Sequence, residues 1–177
     1  MKTIAILTTG GTIAMKQHGG AGVLPALSAK ELIQALPQDI ANLTVEEICN
    51  LPSPHLTTHH LRTLRSRVVD LIFLQGVAGV VITHGTDTME EAAFYLDITL
   101  KPKAPVVLTG AMRNASEAGY DGLANLSAAV RLAASDEAGG LGTLVVMNDE
   151  IHLARWATKS YTSGVNAFSS PDHGPIG

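Results

Sequence analysis

Apolar residues along this chain fall into two alternating rhythms. Short, nearly continuous runs of aliphatic and β-branched residues occupy Thr3–Thr8, Leu43–Ile48, Gly79–Thr83, Pro105–Leu108 and Thr143–Met147. Such runs are expected of strands covered by helices on both faces. Between them the apolar positions take up a helical period. Residues 57–74 place Leu61, Leu64, Val68 and Leu71 on one stripe, with Arg62, Arg65 and Asp70 off it or at its edge. Residues 88–100 repeat the stripe with Met89, Ala92, Ala93, Leu96 and Leu100, and residues 121–135 do so with Leu123, Leu126, Val130 and Ala133, opened by Asp121. A shorter helix is expected over 28–36, where Ser28 as N-cap and Glu31 three residues on form a capping box. The alternation predicts a doubly wound α/β domain: a mostly parallel sheet with helices on both faces, in a flavodoxin-like three-layer arrangement.

Length and composition narrow the picture. At 177 residues, without internal repeat, linker or low-complexity segment, the chain reads as one domain over 1–177. Its 46% hydrophobic and 16% charged residues fit a folded, water-soluble protein. Aromatics are only 4%, so the core is aliphatic. Twelve basic against 16 acidic side chains give a formal charge of −4, and no basic patch invites nucleic acid. The single Cys49 excludes an internal disulfide. The apolar stretch Ile4–Leu7 is too short for a signal sequence and nothing approaches membrane-spanning length, so the expected location is cytoplasmic, with no membrane partner.

Long non-periodic stretches at 9–27, 109–120 and 148–177 are where function is expected. The first, rich in glycine, reads as a mobile lid. In open α/β sheets ligands bind beyond the carboxyl ends of the strands, where the strand order reverses. With flavodoxin-like order, the segments leaving the first and third strands, Thr8-Thr9-Gly10-Gly11-Thr12 and Thr83-His84-Gly85-Thr86-Asp87-Thr88, converge on one crevice. Neither is a phosphate-binding fingerprint, and no cofactor is expected. Gly10 and Gly11 let backbone approach a ligand at Thr12. Thr12 as a nucleophile needs a nearby base and oxyanion donors; as a turn residue it needs neither. Asp87 followed by Glu90, and Thr88 by Glu91, equally read as helix caps, with both glutamates favouring the helix dipole. The two readings are compatible, since a capping loop also presents donors to a ligand.

Those residues carry a resemblance. Thr9-Gly10-Gly11-Thr12-Ile13-Ala14 resembles the first motif of the L-asparaginase family, and His84-Gly85-Thr86-Asp87-Thr88-Met89-Glu90-Glu91 the second. The similarity continues through Thr109–Arg113, Asp121–Leu126, Val145–Asp149 and Thr158-Lys159 to Gly174–Gly177, so it spans essentially the whole chain. It implies hydrolysis of the side-chain amide of asparagine to aspartate and ammonia through an acyl-enzyme on Thr12. It further implies a proton-relaying cluster of Thr86, Lys159 and Asp87. Asp87 would also pair with the substrate α-ammonium, Ser53 would contact its α-carboxylate, and the Ala111 carbonyl would orient the amide. Backbone N–H groups near Gly11 and Thr86 are the candidate oxyanion donors. A lysine desolvated in a crevice releases its proton more readily, while an adjacent carboxylate opposes that. The alternative for Lys159 is an ordinary solvated lysine.

Two departures from the family pattern stand out. The first loop reads Gly22-Val23-Leu24-Pro25, placing Val23 where a tyrosine hydroxyl is expected, so activation of Thr12 falls on Lys159, water or another group. The family's smaller C-terminal domain is absent, which reads as a short-chain form or an excised domain. A small-molecule amide substrate, L-asparagine with L-glutamine as a second, and a homo-oligomer are the expected partners. Pro54 after Ser53 removes a side-chain donor and disfavours the longer substrate. The competing functions are a glutaminase-like amidase, an ammonia-supplying subunit, and a non-catalytic binder of aspartate or asparagine.

Of the remaining residues, His55, His59 and His60 lack the cysteine or carboxylate cluster a metal needs, and no metal site is expected. His84 is expected to pack or hydrogen-bond. Trp156 and Tyr161 bracket Lys159 and are expected either to shield its pocket or to pack in the core.

Overall fold

A computed structural model describes residues 1–17, 23–25, 31, 34, 36, 39–101 and 103–177. Of the helix expected over 28–36 only Glu31, Gln34 and Leu36 are described, the first two of them helical, and residues 18–22 and 26–27 of the glycine-rich lid expected over 9–27 lie outside the described residues. The strands are β1 (Thr3–Thr8), β2 (Met15–Gln17), β3 (Val23–Pro25), β4 (Asn42–Glu47), β5 (Gly79–Thr83), β6 (Val106–Thr109), β7 (Thr143–Met147), β8 (Glu150–Leu153), β9 (Thr158–Lys159) and β10 (Phe168–Ser169). Beside the helical Glu31 and Gln34, the α-helices among the described residues are α1 (Thr58–Val69), α2 (Met89–Thr99) and α3 (Gly122–Ala134).

Six strands form one sheet in the order β4-β1-β5-β6-β7-β8. The first five are mutually parallel and β8 is antiparallel. Numbered along the chain, the parallel strands therefore lie 2-1-3-4-5, the flavodoxin order, and the sheet changes winding direction between β1 and β5.

Strand alternation divides the core in two. Ala5, Leu7, Val80, Ile82, Val106 and Leu108 point to one face, under Leu64 and Val68 of α1 and Met89, Ala92, Ala93 and Leu96 of α2. Ile4, Ile6, Val81, Val107, Leu144 and Val146 point to the other, against Leu126, Ala129, Val130 and Ala133 of α3. Both faces being covered, β5, β6 and β7 are buried at every residue, which is why they read as continuous apolar runs. The edge strand β4 is mostly exposed instead. The stripe beginning at Thr58 ends as α1 followed by one wider, π-type turn, Asp70–Leu74, which keeps Leu71 in the core.

Residues 148–177, expected to be non-periodic, hold three short strands. β7 returns as β8 through a two-residue turn in which Asn148 (φ 52°) and Asp149 (φ 61°) are both left-handed. That is the turn whose twist matches a hairpin, and Asn and Asp tolerate it best after glycine. Beyond it, β9 and β10 pair antiparallel as a separate two-stranded ribbon.

Candidate active site

The site is built where β1 and β5 end. Thr8, Thr83 and Thr109 are register partners across β1, β5 and β6, and all three are buried. Hydroxyls therefore floor the carboxyl edge of an otherwise aliphatic sheet. The chain leaving β1 is tied down there: both the N–H and the Oγ1 of Thr9 donate to the Thr83 carbonyl, at 3.1 and 3.0 Å.

Gly10 and Gly11 follow, at φ 102° and 87°. A Cβ on Gly11 would lie 2.6 Å from the Gly85 Cα and N, and one on Gly85 would lie 2.7 Å from the Ser53 Oγ. Three segments from separate parts of the chain thus meet at distances only glycine permits, Gly11 against the Gly85 backbone and Gly85 against the Ser53 side chain. The two loops expected to converge do so.

They enclose a cavity of about 270 Å³ lined by Gly11 and Thr12 from the first loop, Thr86 and Asp87 from the second, and Lys159 from β9. The Lys159 Nζ donates to the Thr86 Oγ1 at 2.9 Å and to the Asp87 Oδ1 at 2.6 Å. Thr86 is buried. The Lys159 side chain is 13% exposed and that of Asp87 64%, so the pair stands at the rim with its carboxylate open to solvent. An ion pair this exposed stabilises a fold by only about 0–1 kcal/mol, and fold stability does not explain it. Ser53 also lines the cavity; its buried hydroxyl has no hydrogen-bond partner among the described residues.

Several sequence expectations change. Thr88 precedes α2 but makes no side-chain cap; its hydroxyl donates to the Ser53 carbonyl at 3.0 Å, drawing the Ser53 turn against the second loop. Glu90 stands in the first turn of α2, as a residue favouring the dipole should, and in addition accepts the backbone N–H of Lys159. Asp121 makes no cap on α3: its carboxylate accepts the N–H groups of Met112 (3.0 Å) and Arg113 (2.9 Å). Ala111 is buried in the second core cluster and does not line the cavity, so only its backbone is left for a ligand; Met112 beside it is a lining residue. Trp156 neither shields the lysine nor packs inside: it is 37% exposed and stacks on His173 at 3.8 Å. Tyr161 is exposed. The backbone of Val23 pairs with Gln17 in the β2–β3 hairpin.

The histidines resolve differently. His60 accepts the Thr57 N–H at 3.1 Å at the start of α1. Among the described residues no group of three metal-ligating side chains occurs. His84 is fully buried with its Nδ1 2.7 Å from the Gly85 carbonyl, which makes Nδ1 the protonated donor. Burial pushes its pKa down, partly opposed by that bond. It is a structural support under the second loop. Sequence reasoning passed over Pro52, Met112 and Thr162, which complete the cavity wall. Met112 sits inside a recognised motif and Pro52 beside Ser53, but nothing local marks Thr162.

Fold and site together define a class, a three-layer α/β domain with a hydroxyl–amine–carboxylate cluster at its switch point. Residues 3–177 match the family described as Asparaginase, N-terminal. L-asparaginase 2 of Bacillus subtilis is 40% identical over 100% of this chain and 49% of its own length. The glutaminase-asparaginase of Pseudomonas fluorescens is 39% identical over 100% of the chain and 50% of its own length. The crystal structure of a probable cytoplasmic L-asparaginase from Campylobacter jejuni superposes with a TM-score of 0.94 at 43% identity, covering 100% of this chain and 55% of that one. The chain belongs to the asparaginase family, and it spans about half the length of the curated relatives it matches.

Proposed function

We propose that this chain hydrolyses the side-chain amide of L-asparagine to L-aspartate and ammonia through a threonyl acyl-enzyme. The observation that carries the proposal is the Nζ of Lys159 held between Thr86 and Asp87 in a cavity that Thr12 also lines. The Thr12 Oγ attacks the amide carbon as its proton passes by way of the Thr86 hydroxyl to Lys159 in its neutral amine form, which becomes the ammonium beside Asp87, with backbone N–H groups near Gly11 and Thr86 facing the oxyanion. The cluster returns a proton to the leaving nitrogen, ammonia departs, and one water cleaves the ester. The exposed Asp87 carboxylate suits the α-ammonium, and the unpartnered Ser53 hydroxyl suits the α-carboxylate.

The names of the relatives divide on substrate and compartment. One is a glutaminase-asparaginase, another a probable periplasmic L-asparaginase from Haemophilus influenzae. Pro54 on the cavity wall supports asparagine as the preferred amide. Among the described residues no helix is long and apolar enough to cross a membrane. A cytoplasmic location and a homo-oligomeric assembly belong to the proposal.

Ammonia release from asparagine and glutamine by the purified chain tests it. Thr12→Ala and Lys159→Met should each reduce release by at least about 100-fold. Lys159→Met should shift unfolding free energy by only about 1 kcal/mol, because the ion pair it removes is at the rim. Full activity in either variant refutes the roles. Calorimetric binding of L-aspartate by a wild-type chain that releases no ammonia would instead make this a binding domain.

A further inference from the structure

We propose that Glu90 is the positioning residue for Lys159: from the first turn of α2 its carboxylate holds the β9 backbone so that the lysine Nζ stays between Thr86 and Asp87. Lys159 stands on a ribbon with only two register pairs, outside the six-stranded sheet. A two-stranded ribbon of that size is marginal by itself and holds a position only through what it docks on. Its internal bonds, such as Ser160 N–H to the Ala167 carbonyl at 2.6 Å, close the ribbon without placing it. The His152 Nδ1 lies 2.9 Å from the Ser170 Oγ, which fastens the end beyond β10 to β8. Ala167 and Phe168 dock the β10 side in the core, and the Lys159 N–H itself is tied to Glu90, whose carboxylate accepts it.

The placement of this tie gives it a function. Glu90 lies within one helical turn of Thr86 and Asp87, on the same rigid segment. The acceptors for the side-chain amine and for the backbone amide of Lys159 therefore move as one body. The bonds from Nζ depend on its charge: once the lysine gives up its proton, its attraction to Asp87 falls, and that carboxylate is already open to water. A backbone N–H does not titrate, so the bond to Glu90 persists in both protonation states of the amine. A long, flexible side chain is returned to the same place in each cycle because its root never leaves. The consequence for turnover rests on the asparaginase reading above; the tie itself does not.

Two variants of the full chain, Glu90→Ala and Glu90→Gln, test this with two independent readouts. The first is the rate of reductive methylation of Lys159, mapped by mass spectrometry against the exposed Lys101 and Lys103 as internal standards. The second is ammonia release, resolved into kcat and KM. Glu90→Ala should raise the relative methylation rate of Lys159 at least fivefold and lower kcat at least tenfold, with KM within twofold. Glu90→Gln, whose amide oxygen still accepts the N–H, should restore both to near wild type. Unchanged methylation in Glu90→Ala overturns the proposal, as does unchanged kcat in an active enzyme, or a glutamine variant as impaired as the alanine one. If the wild-type chain releases no ammonia, the functional reading falls, and methylation alone decides the tie.

Discussion

Gly11 shows how much of this site depends on atoms that are missing from one side chain. It combines a left-handed φ of 87° with a Gly85 backbone 2.6 Å from where its Cβ would be, whereas Gly76, at φ 68°, has nothing within 4 Å. Alanine at Gly76 meets only the conformational penalty, about 1 kcal/mol. Alanine at Gly11 meets that penalty and a backbone that cannot move without opening the site, so it should cost at least about 2 kcal/mol more. Urea unfolding of the two variants gives the comparison, and equal midpoints would show that the two loops are not in rigid contact. At this scale the sequence was informative about residue type and silent about partner. That Gly10 and Gly11 admit close approach was readable. That the visitors are the backbones of Leu51 and Gly85 was not. Asp121 opens α3 as the pattern suggested, but only the fold brings the Met112 and Arg113 amides to its carboxylate.

The elements hold the loops through buried polar groups. Asn125, on α3, is 3% exposed and spends its amide fully. Its Nδ2 donates to the Gly110 carbonyl at 3.1 Å and to the Asp121 Oδ2 at 3.0 Å, and its Oδ1 accepts the Asn148 N–H at 3.0 Å. One helix face therefore fixes both the loop after β6, which supplies Met112 to the cavity, and the turn between β7 and β8. Leucine at Asn125 would keep the branched shape but leave the buried Gly110 carbonyl and the part-buried Asn148 N–H without this partner. At about 1–3 kcal/mol for each, the expected loss is about 3 kcal/mol, read as a lowered denaturation midpoint; a loss within 0.5 kcal/mol would mean that water replaces the bonds. The apolar stripe of α3 announced the helix but not this role, since Asn125 interrupts the stripe without any local signature. β8 was missed differently. Glu150-Ile151-His152-Leu153 alternates after an Asn-Asp pair, a hairpin signal, but a four-residue strand is too short to stand out from a loop.

For the whole molecule, two buried histidines set a lower pH boundary. His84 and His152 are both fully buried. Burial pushes each below the ordinary value of 6.5, with the Gly85 bond opposing it at His84 and Glu150 opposing it at His152. The unfolded chain then binds more protons than the folded one, so their contribution is fully present above pH 6.5 and is lost as pH falls through and below it. Urea midpoints should decline from pH 7.5 to 5, and His152→Gln should flatten the decline; an unchanged slope in that variant would remove His152 from the account. The same molecule-wide view separates what was local from what was not. Periodicity and the alternation of strand and helix patterns were sufficient for a doubly wound α/β domain, because apolar patterning is a property of neighbouring residues; the flavodoxin order entered as a condition, which the observed strand order meets. From that order alone, two threonine- and glycine-rich loops had to meet at β1 and β5. The third member of the cluster was beyond such reasoning. Lys159 lies 73 residues from Thr86 on a ribbon without periodic pattern, which meets the rest of the fold through Ala167 and Phe168 in the core, the Glu90 carboxylate and a His152–Ser170 bond. Hydrogen bonds between residues so far apart leave no trace in local sequence; they exist only once burial has brought the segments together.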